Sequence, residues 1–433
     1  MTSPAIASVH ARRIWDSRGR PTIEAEIILS DGSMGRGIAP AGASRGSREA
    51  VDRRDGGARH GGLDVNDALA SIRDEIAPAL LGLDPFDQAG ADAKLVALDG
   101  TPNKERLGGN AMVAVSLAIL HAAAASRGEP LWRYLAGDEP VIMPLPEIQI
   151  FGGGAHAGRR TDIQDFMIMV PGAKTFAEAI DVTAEVYRAA GRVMAARGLL
   201  RGVADEGGWW PAFSTNEEAL DTMLVAIEQA GYQPGEVAIS LDVAASEFGS
   251  KGRYKLGLEE RELDRDGLAE YLLSWCDRYP ILSIEDPFAE DDDEGLTKFT
   301  AAVGDRIQVI GDDFLVTNAS LVEKAAREKA VNAVLVKVNQ AGTVSEAQAA
   351  CAAGRKAGFG TIVSARSGET EDVAIAHLAI GWHAGQLKVG SFARSERMAK
   401  WNEVLRIEES LGGKARFAGL DAMPFRRKPS GVR

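Results

Sequence analysis

Ile281-Leu-Ser-Ile-Glu285 and Gln308-Val-Ile-Gly-Asp312 decide the fold: each is a short apolar run closing on an acid, and the two acids lie 27 residues apart. The same form occurs at Ala238–Asp242, Ala333–Lys337, Thr361–Ser364 and Gln386–Lys388, so the closing residues follow one another at 43, 27, 25, 27 and 24 residues. A strand, a crossover helix and the start of the next strand need about that length. Parallel strands covered on both faces read as unbroken apolar runs, as these do. The pattern predicts an α/β fold, a (βα) barrel, whose chemistry gathers at the carboxyl ends of the strands. A doubly wound open sheet is the rival, but no glycine-rich phosphate fingerprint follows a first strand.

Upstream the pattern changes. Two β-type runs, Thr22 to Leu29 and Met34 to Ala39, meet around Asp31-Gly32 and read as a hairpin. From Asp64 to about Arg127 the apolar spacing is helical, as in Val65–Leu80 and Ala111–Ala125. Pro140, Pro144 and Pro146 then punctuate a boundary. The expected organisation is an α+β domain over 1–137, capping a barrel over 138–433 that carries the active site.

Composition narrows the function classes. Against 49 Lys+Arg stand 62 Asp+Glu, a net charge of −13, which disfavours nucleic acid as a partner. The basic run Arg426-Arg427-Lys428 reads as a solvated end. Arg12, Arg13, Asp16 and Arg18 interrupt the first twenty residues where a signal peptide needs an apolar core, and no run of 18 apolar residues suggests a membrane span. Two cysteines, Cys276 and Cys351, fit neither a disulfide framework nor a metal-ligand spacing, so the cytoplasm is the expected compartment.

The strand-closing residues are Asp242, Glu285, Asp312, Lys337, Ser364 beside Arg366, and Lys388. Three converging carboxylates repel unless a cation lies between them, and an all-oxygen site suits Mg²⁺. Lys337 and Lys388, near each other and near a divalent ion, are expected to have lowered pKa values, so that one can serve as a base. Such a set suits proton abstraction beside a carboxylate. Expulsion of a hydroxyl group then needs an acid. Glu206 in Ala-Asp-Glu-Gly-Gly and Asp165 in Ile-Gln-Asp-Phe-Met are candidates, as a close carboxyl pair in which one holds a proton.

Over essentially its whole length the sequence resembles the enolase family. The resemblance is carried by Asp16-Ser-Arg-Gly-Arg-Pro-Thr22, Gly42-Ala-Ser44, Ser240-Leu-Asp-Val-Ala-Ala-Ser-Glu-Phe248, Ser283-Ile-Glu-Asp-Pro-Phe288, Gly311-Asp-Asp313, Val336-Lys-Val-Asn-Gln340, Arg366-Ser-Gly-Glu-Thr-Glu-Asp372 and Arg394-Ser-Glu-Arg397. It implies a barrel whose early strands are antiparallel, and the reversible dehydration of 2-phosphoglycerate to phosphoenolpyruvate. It further implies that Asp242, Glu285 and Asp312 hold one Mg²⁺, that Ser44 closes on a second from a mobile loop, and that Lys337 takes the C2 proton. Lys388 would bind the substrate carboxylate, Arg366 and Ser367 the phosphate, and Gln164 the substrate beside them. Glu206, supported by Asp165, would protonate the departing hydroxyl, and His156 in Gly154-Ala-His-Ala-Gly158 would close over the substrate. A homodimer or homo-octamer is implied as well.

Departures cluster near the substrate. Ala365 stands where the family has histidine, and Asp165 where it has glutamate. Ala155 replaces a serine of the lid, Arg159-Arg160 follow the lid histidine, and Trp209-Trp210 follow Asp205-Glu-Gly-Gly208. Drift within an ordinary 2-phosphoglycerate enzyme is one reading. A larger or more anionic phosphonate or carboxyphosphonate substrate, met by the two arginines, is another. A non-catalytic scaffold is the third, but intact acids facing lysines have no structural need to persist.

Overall fold

A computed structural model describes residues 3–426, so Arg427 and Lys428 of the basic run lie outside the described residues. Three strands, β1 (Ile6–Trp15), β2 (Pro21–Leu29) and β3 (Met34–Ile38), form an antiparallel meander. The expected hairpin is its second half, with Gly32 at φ +88° in the turn. The helix Gly109–Arg127 lies flush on β3: a Cβ at Gly35 would meet Ala122 N at 2.1 Å, and one at Gly37 would meet Ala114 O at 2.4 Å. That helix is long and apolar enough to cross a membrane, yet 83% of its most apolar window is buried here, where it packs on β2 and β3.

Eight strands close a barrel: β4 (Leu145–Gly152), β5 (Asp165–Met169), β6 (Ala238–Asp242), then, after a small ribbon of β7 (Gly249–Ser250), β8 (Arg253–Leu256) and β9 (Arg261–Asp264), β10 (Ile281–Glu285), β11 (Gln308–Gly311), β12 (Ala333–Val336), β13 (Gly360–Ser364) and β14 (Gly385–Ser391). The ribbon and the helix Arg265–Arg278 account for the long first interval of 43 residues. β5 runs antiparallel to both β4 and β6, and every other barrel pair is parallel. β14 pairs with β4 and shuts the ring.

One expectation changes. Pro146 is not in a linker but inside β4, paired with Leu387. β5 pairs with β4 only from Ile148 onward, so Pro146 stands near the strand's start with one flank unpaired, a position at which sheets tolerate proline.

Candidate active site

Register brings the closing residues together. Glu285 lies opposite Asp242, Ser364 opposite Lys388, and Lys388 opposite Glu147. Because β5 runs backwards, its first residue reaches the rim, and Asp165 lies opposite Asp242. Lys388 Nζ donates to Asp242 Oδ2 at 2.9 Å and Glu285 Oε2 at 2.8 Å, and stands 3.6 Å from Asp165 Oδ2. Lys337 donates to Asp312 Oδ2, whose other oxygen accepts from Gln340 Nε2 at 2.8 Å.

The expected lowering of the lysine pKa values presumes a bound divalent cation, and the protein's own acids act in the opposite direction. Burial lowers both, but Asp312 and Glu285 together raise Lys337 above its ordinary value, and Asp242 and Glu285 hold Lys388 well above it. The lysines neutralise the acids. Burial and the neighbouring Asp242 drive the Glu285 carboxyl well above its usual range, and Glu285 Oε1 is buried without a hydrogen-bond partner. An orphaned carboxylate oxygen amid three acids fits a hard divalent cation with oxygen ligands. Among the described residues, two groups have ligand atoms within 4.8 Å of one another: Asp286, Asp312 and Asp313, and His156, Asp165 and Glu206. Asp286 is committed to backbone, accepting from the N–H groups of Asp312 and Asp313 at 2.9 and 2.8 Å.

The loop carrying Ser44 sits directly over the rim. Gln164 Nε2 donates to Asp242 Oδ2 at 3.1 Å and to Ser44 Oγ at 3.4 Å. Arg366 donates to Ser44 O at 3.0 Å, Glu49 Oε2 at 3.0 Å and Asn339 Oδ1 at 3.0 Å. A Cβ at Gly42 would meet Arg366 Nη2 at 2.0 Å, so only glycine lets the loop come this close. Ser367 Oγ accepts from Ala43 N at 2.8 Å.

On the other side Asp165 and Glu206 bring carboxylate oxygens within 4.8 Å of one another, and His156 contacts both. Its Nδ1 donates to Asp165 Oδ1 at 2.9 Å, and its Nε2 faces Glu206 Oε1 at 3.6 Å. Burial works against the imidazolium, yet Asp165 and Glu206 hold it up to about 9. Gln149 donates to the same Asp165 oxygen and accepts from Gly208 N at 2.8 Å, joining β4 to the Glu206 loop.

The departures sort by where they point. Ala365, His156, Glu206, Lys337 and Lys388 line one cavity. Arg159 does not: it is largely exposed and donates to Glu247 Oε2 at 2.8 Å, while Arg160 is exposed beside it. Neither lines the substrate cavity, against the expectation that they meet an extra anionic group. Trp209 stacks on Tyr187 at 4.8 Å and donates to Tyr187 O, behind the site.

Sequence reasoning missed Gln149, Glu49, Asn339, Gln340 and Arg397, whose Nη1 stands 3.9 Å from Glu206 Oε1. Asn339 and Gln340 directly follow Lys337, and Glu49 shares the Ser44 loop, so proximity in sequence was a signal for those three.

The family model described as "Enolase, N-terminal domain" matches residues 6–135, and the one described as "Enolase, C-terminal TIM barrel domain" matches residues 140–425. A protein named Enolase from Acidothermus cellulolyticus is 47% identical over 420 residues, 97% of each chain.

Proposed function

The chain belongs to the enolase family, and from that premise we propose how its own residues carry the reversible dehydration of 2-phosphoglycerate to phosphoenolpyruvate, a hydro-lyase reaction. Lys337 removes the C2 proton, and Lys388 holds the substrate carboxylate. Arg366 and Ser367 take the phosphate, with Gln164 beside them. Glu206, Asp165 and His156 face the departing hydroxyl group from the lid side. Asp242, Glu285 and Asp312 would hold Mg²⁺, and Ser44 would contribute to a second ion. When bound, the ion stabilises the negative charge that builds on the substrate carboxylate.

The observation that supports this reading is one buried cluster in which two lysines meet three acids, under a loop from the amino-terminal part that touches Gln164 and Arg366. Loop and lid together exclude water, which strengthens each charge interaction in the cavity. We divide the chain into an amino-terminal unit over 1–137 and a barrel over 138–433. Family membership supports a cytoplasmic homo-oligomer, a dimer or an octamer. The larger-anion reading loses its motive, because its arginines lie outside the cavity.

A coupled assay for phosphoenolpyruvate with Mg²⁺, run beside solvent exchange of the C2 hydrogen, tests the reading. Both should proceed, with turnover of roughly 1–10³ s⁻¹. Absence of both would reject it.

A further inference from the structure

We infer that Arg18 is a positioning residue at the hinge of the loop that carries Ser44: its guanidinium grips the chain on both sides of the hinge, so that the loop returns over the rim once a substrate is inside. The inference rests on the dehydration reading above and adds to it a residue that does not line the cavity.

The cavity under the loop has a volume of about 20 Å³. That is room for about one water molecule, so 2-phosphoglycerate cannot enter unless the loop lifts. The two ends of the loop are fixed. Ala41 exchanges backbone hydrogen bonds with Gly368 at 2.9 and 2.8 Å, and Ala50 N donates to Gln340 O at 2.8 Å. Between these ends the loop is held to the rim by Gln164, which donates to Ser44 Oγ, and by Arg366, which donates to Ser44 O. Both of those side chains are assigned to the substrate above, so neither can by itself bring the loop back once a substrate holds them. An anchor that the substrate does not engage is needed.

Arg18 has the geometry of that anchor. Its Nη2 donates to Ala41 O at 2.8 Å and to Gly42 O at 3.4 Å, one carbonyl on the fixed side of the hinge and one on the moving side. The first bond is firm, and the second is long enough to break and remake easily. The turn between β1 and β2 that bears the arginine is tied down. Asp16 Oδ1 accepts from the N–H groups of Arg18 and Arg20, both at 2.9 Å, and Ser17 N donates to Glu369 O at 2.8 Å. The guanidinium packs so closely on Gly368 that a Cβ there would meet Arg18 Nη2 at 2.7 Å.

Stability alone does not account for an arginine here. Its side chain is 6% exposed, and its Nε and Nη1 are buried without a hydrogen-bond partner among the described residues. Burial, Arg20 and Arg366 lower its pKa to about 10, while Asp16 and Asp205 act the other way. Stranded buried donors carry a desolvation cost that an apolar side chain would not incur, so what the arginine contributes is the grip of Nη2. A planar guanidinium keeps its donors at fixed angles, whereas a lysine ammonium is a mobile point donor.

The test follows the loop directly. Arg45 and Arg48 are exposed on it, so trypsin reports its opening by cleavage after these two residues, resolved by mass spectrometry. The parent protein, Arg18→Gln, Arg18→Lys and Ser17→Ala are compared with Mg²⁺, with and without 2-phosphoglycerate. Each is checked for folding by circular dichroism and measured for KM and kcat. 2-Phosphoglycerate should slow loop cleavage in the parent. With it present, Arg18→Gln should be cut in the loop about tenfold faster than the parent, and its KM should be about tenfold higher with kcat within about threefold, because a smaller closed fraction weakens apparent affinity in proportion. Arg18→Lys should fall between the two, and it carries the same readouts if the glutamine variant does not fold. Ser17→Ala removes the turn's side-chain bonds to Ser367 O and Glu369 N but leaves the guanidinium, and should match the parent. Loop cleavage and KM in Arg18→Gln within about twofold of the parent would overturn the assignment. So would faster cleavage along the whole chain rather than in the loop, or a Ser17→Ala loop as open as that of Arg18→Gln. A parent that neither forms phosphoenolpyruvate nor gains protection from 2-phosphoglycerate overturns the dehydration reading and the assignment with it. A parent that does both, beside an unchanged Arg18→Gln, rejects the assignment alone.

Discussion

The ammonium of Lys388 lies 2.8 Å from Glu285 Oε2, with both side chains fully inside the barrel. A strand-end lysine and a strand-end acid from different parts of the ring thus form an internal ion pair, and Asp242 shares the same nitrogen. A buried charge that loses its partner is costly, which makes the pair a measurable lever.

Lys388→Met should destabilise the protein in excess chelator by about 3–5 kcal/mol, because Asp242 and Glu285 then stand uncompensated. Magnesium should raise the melting temperature of this variant more than that of the parent. Equal shifts, followed calorimetrically, would show that these acids do not take the ion.

Lys337→Ala should remove C2 exchange by at least about 10²-fold, the usual contribution of a positioned base. Its effect on folding should be small in the presence of Mg²⁺ and larger without it, since Asp312 loses the lysine that holds its carboxyl low against burial. Exchange that persists in the variant, read by proton NMR, would move the base to Lys388.

Asp165 is fully buried, and its oxygens face Gln149, His156 and Lys388. Asp165→Glu inserts a methylene into that packing and should cost about 1–3 kcal/mol while displacing His156. Alone it should lower elimination. Paired with Ala365→His, which supplies a second imidazole, it should recover more than the two single changes sum to, because neighbours in one network are not additive. Strict additivity in steady-state rates would contradict this.

Arg159→Ala removes an exposed pair with Glu247, worth about 0–1 kcal/mol. The substrate KM should change less than about twofold, and the small loss of stability should vanish in high salt. A tenfold rise in KM would return the arginine to the substrate.

His377 is buried and held down to about 4, with Glu403 partly opposing, and burial also lowers His121 beside it. Between about pH 6.5 and 4 the unfolded chain therefore binds more protons than the native one. Stability contributed by the neutral rings is complete above the unfolded value and is lost as the pH falls through that window. Each tenfold difference in proton affinity between the folded and unfolded states corresponds to about 1.4 kcal/mol. Denaturant unfolding across the window should show the slope, and His377→Asn should flatten it.

The parallel strands were legible because strands covered on both faces carry continuous apolar runs, and the rim residues follow from where those runs stop. β4 was not legible as a strand. Its Glu147 and Gln149 are fully buried inside the barrel, so an interior-facing polar residue reads like a solvent-facing one, and Pro146 argued for a break. Asp165 escaped the strand-end rule for a different reason: on an antiparallel strand the rim residue comes first. The contact between Glu49 and Arg366 spans 317 residues, and no local spacing encodes it. The pairing of each lysine with its own acids was not legible either, because it depends on which strand ends lie side by side in the closed ring.

Because β14 is the strand that completes the ring and also the strand that carries Lys388, two events coincide when the chain is made. The acids leave the ribosome well before their counter-charge does: Glu285 precedes Lys388 by 103 residues and Asp242 by 146, with Asp165 earlier still. Until the last strand docks against the first, these acids cannot be sealed away from water without a large desolvation cost. Ring closure and charge neutralisation are a single step, so a nascent chain that stalls before residue 388 holds its barrel open and hydrated, and low pH or a divalent cation would be the conditions that let it collapse early.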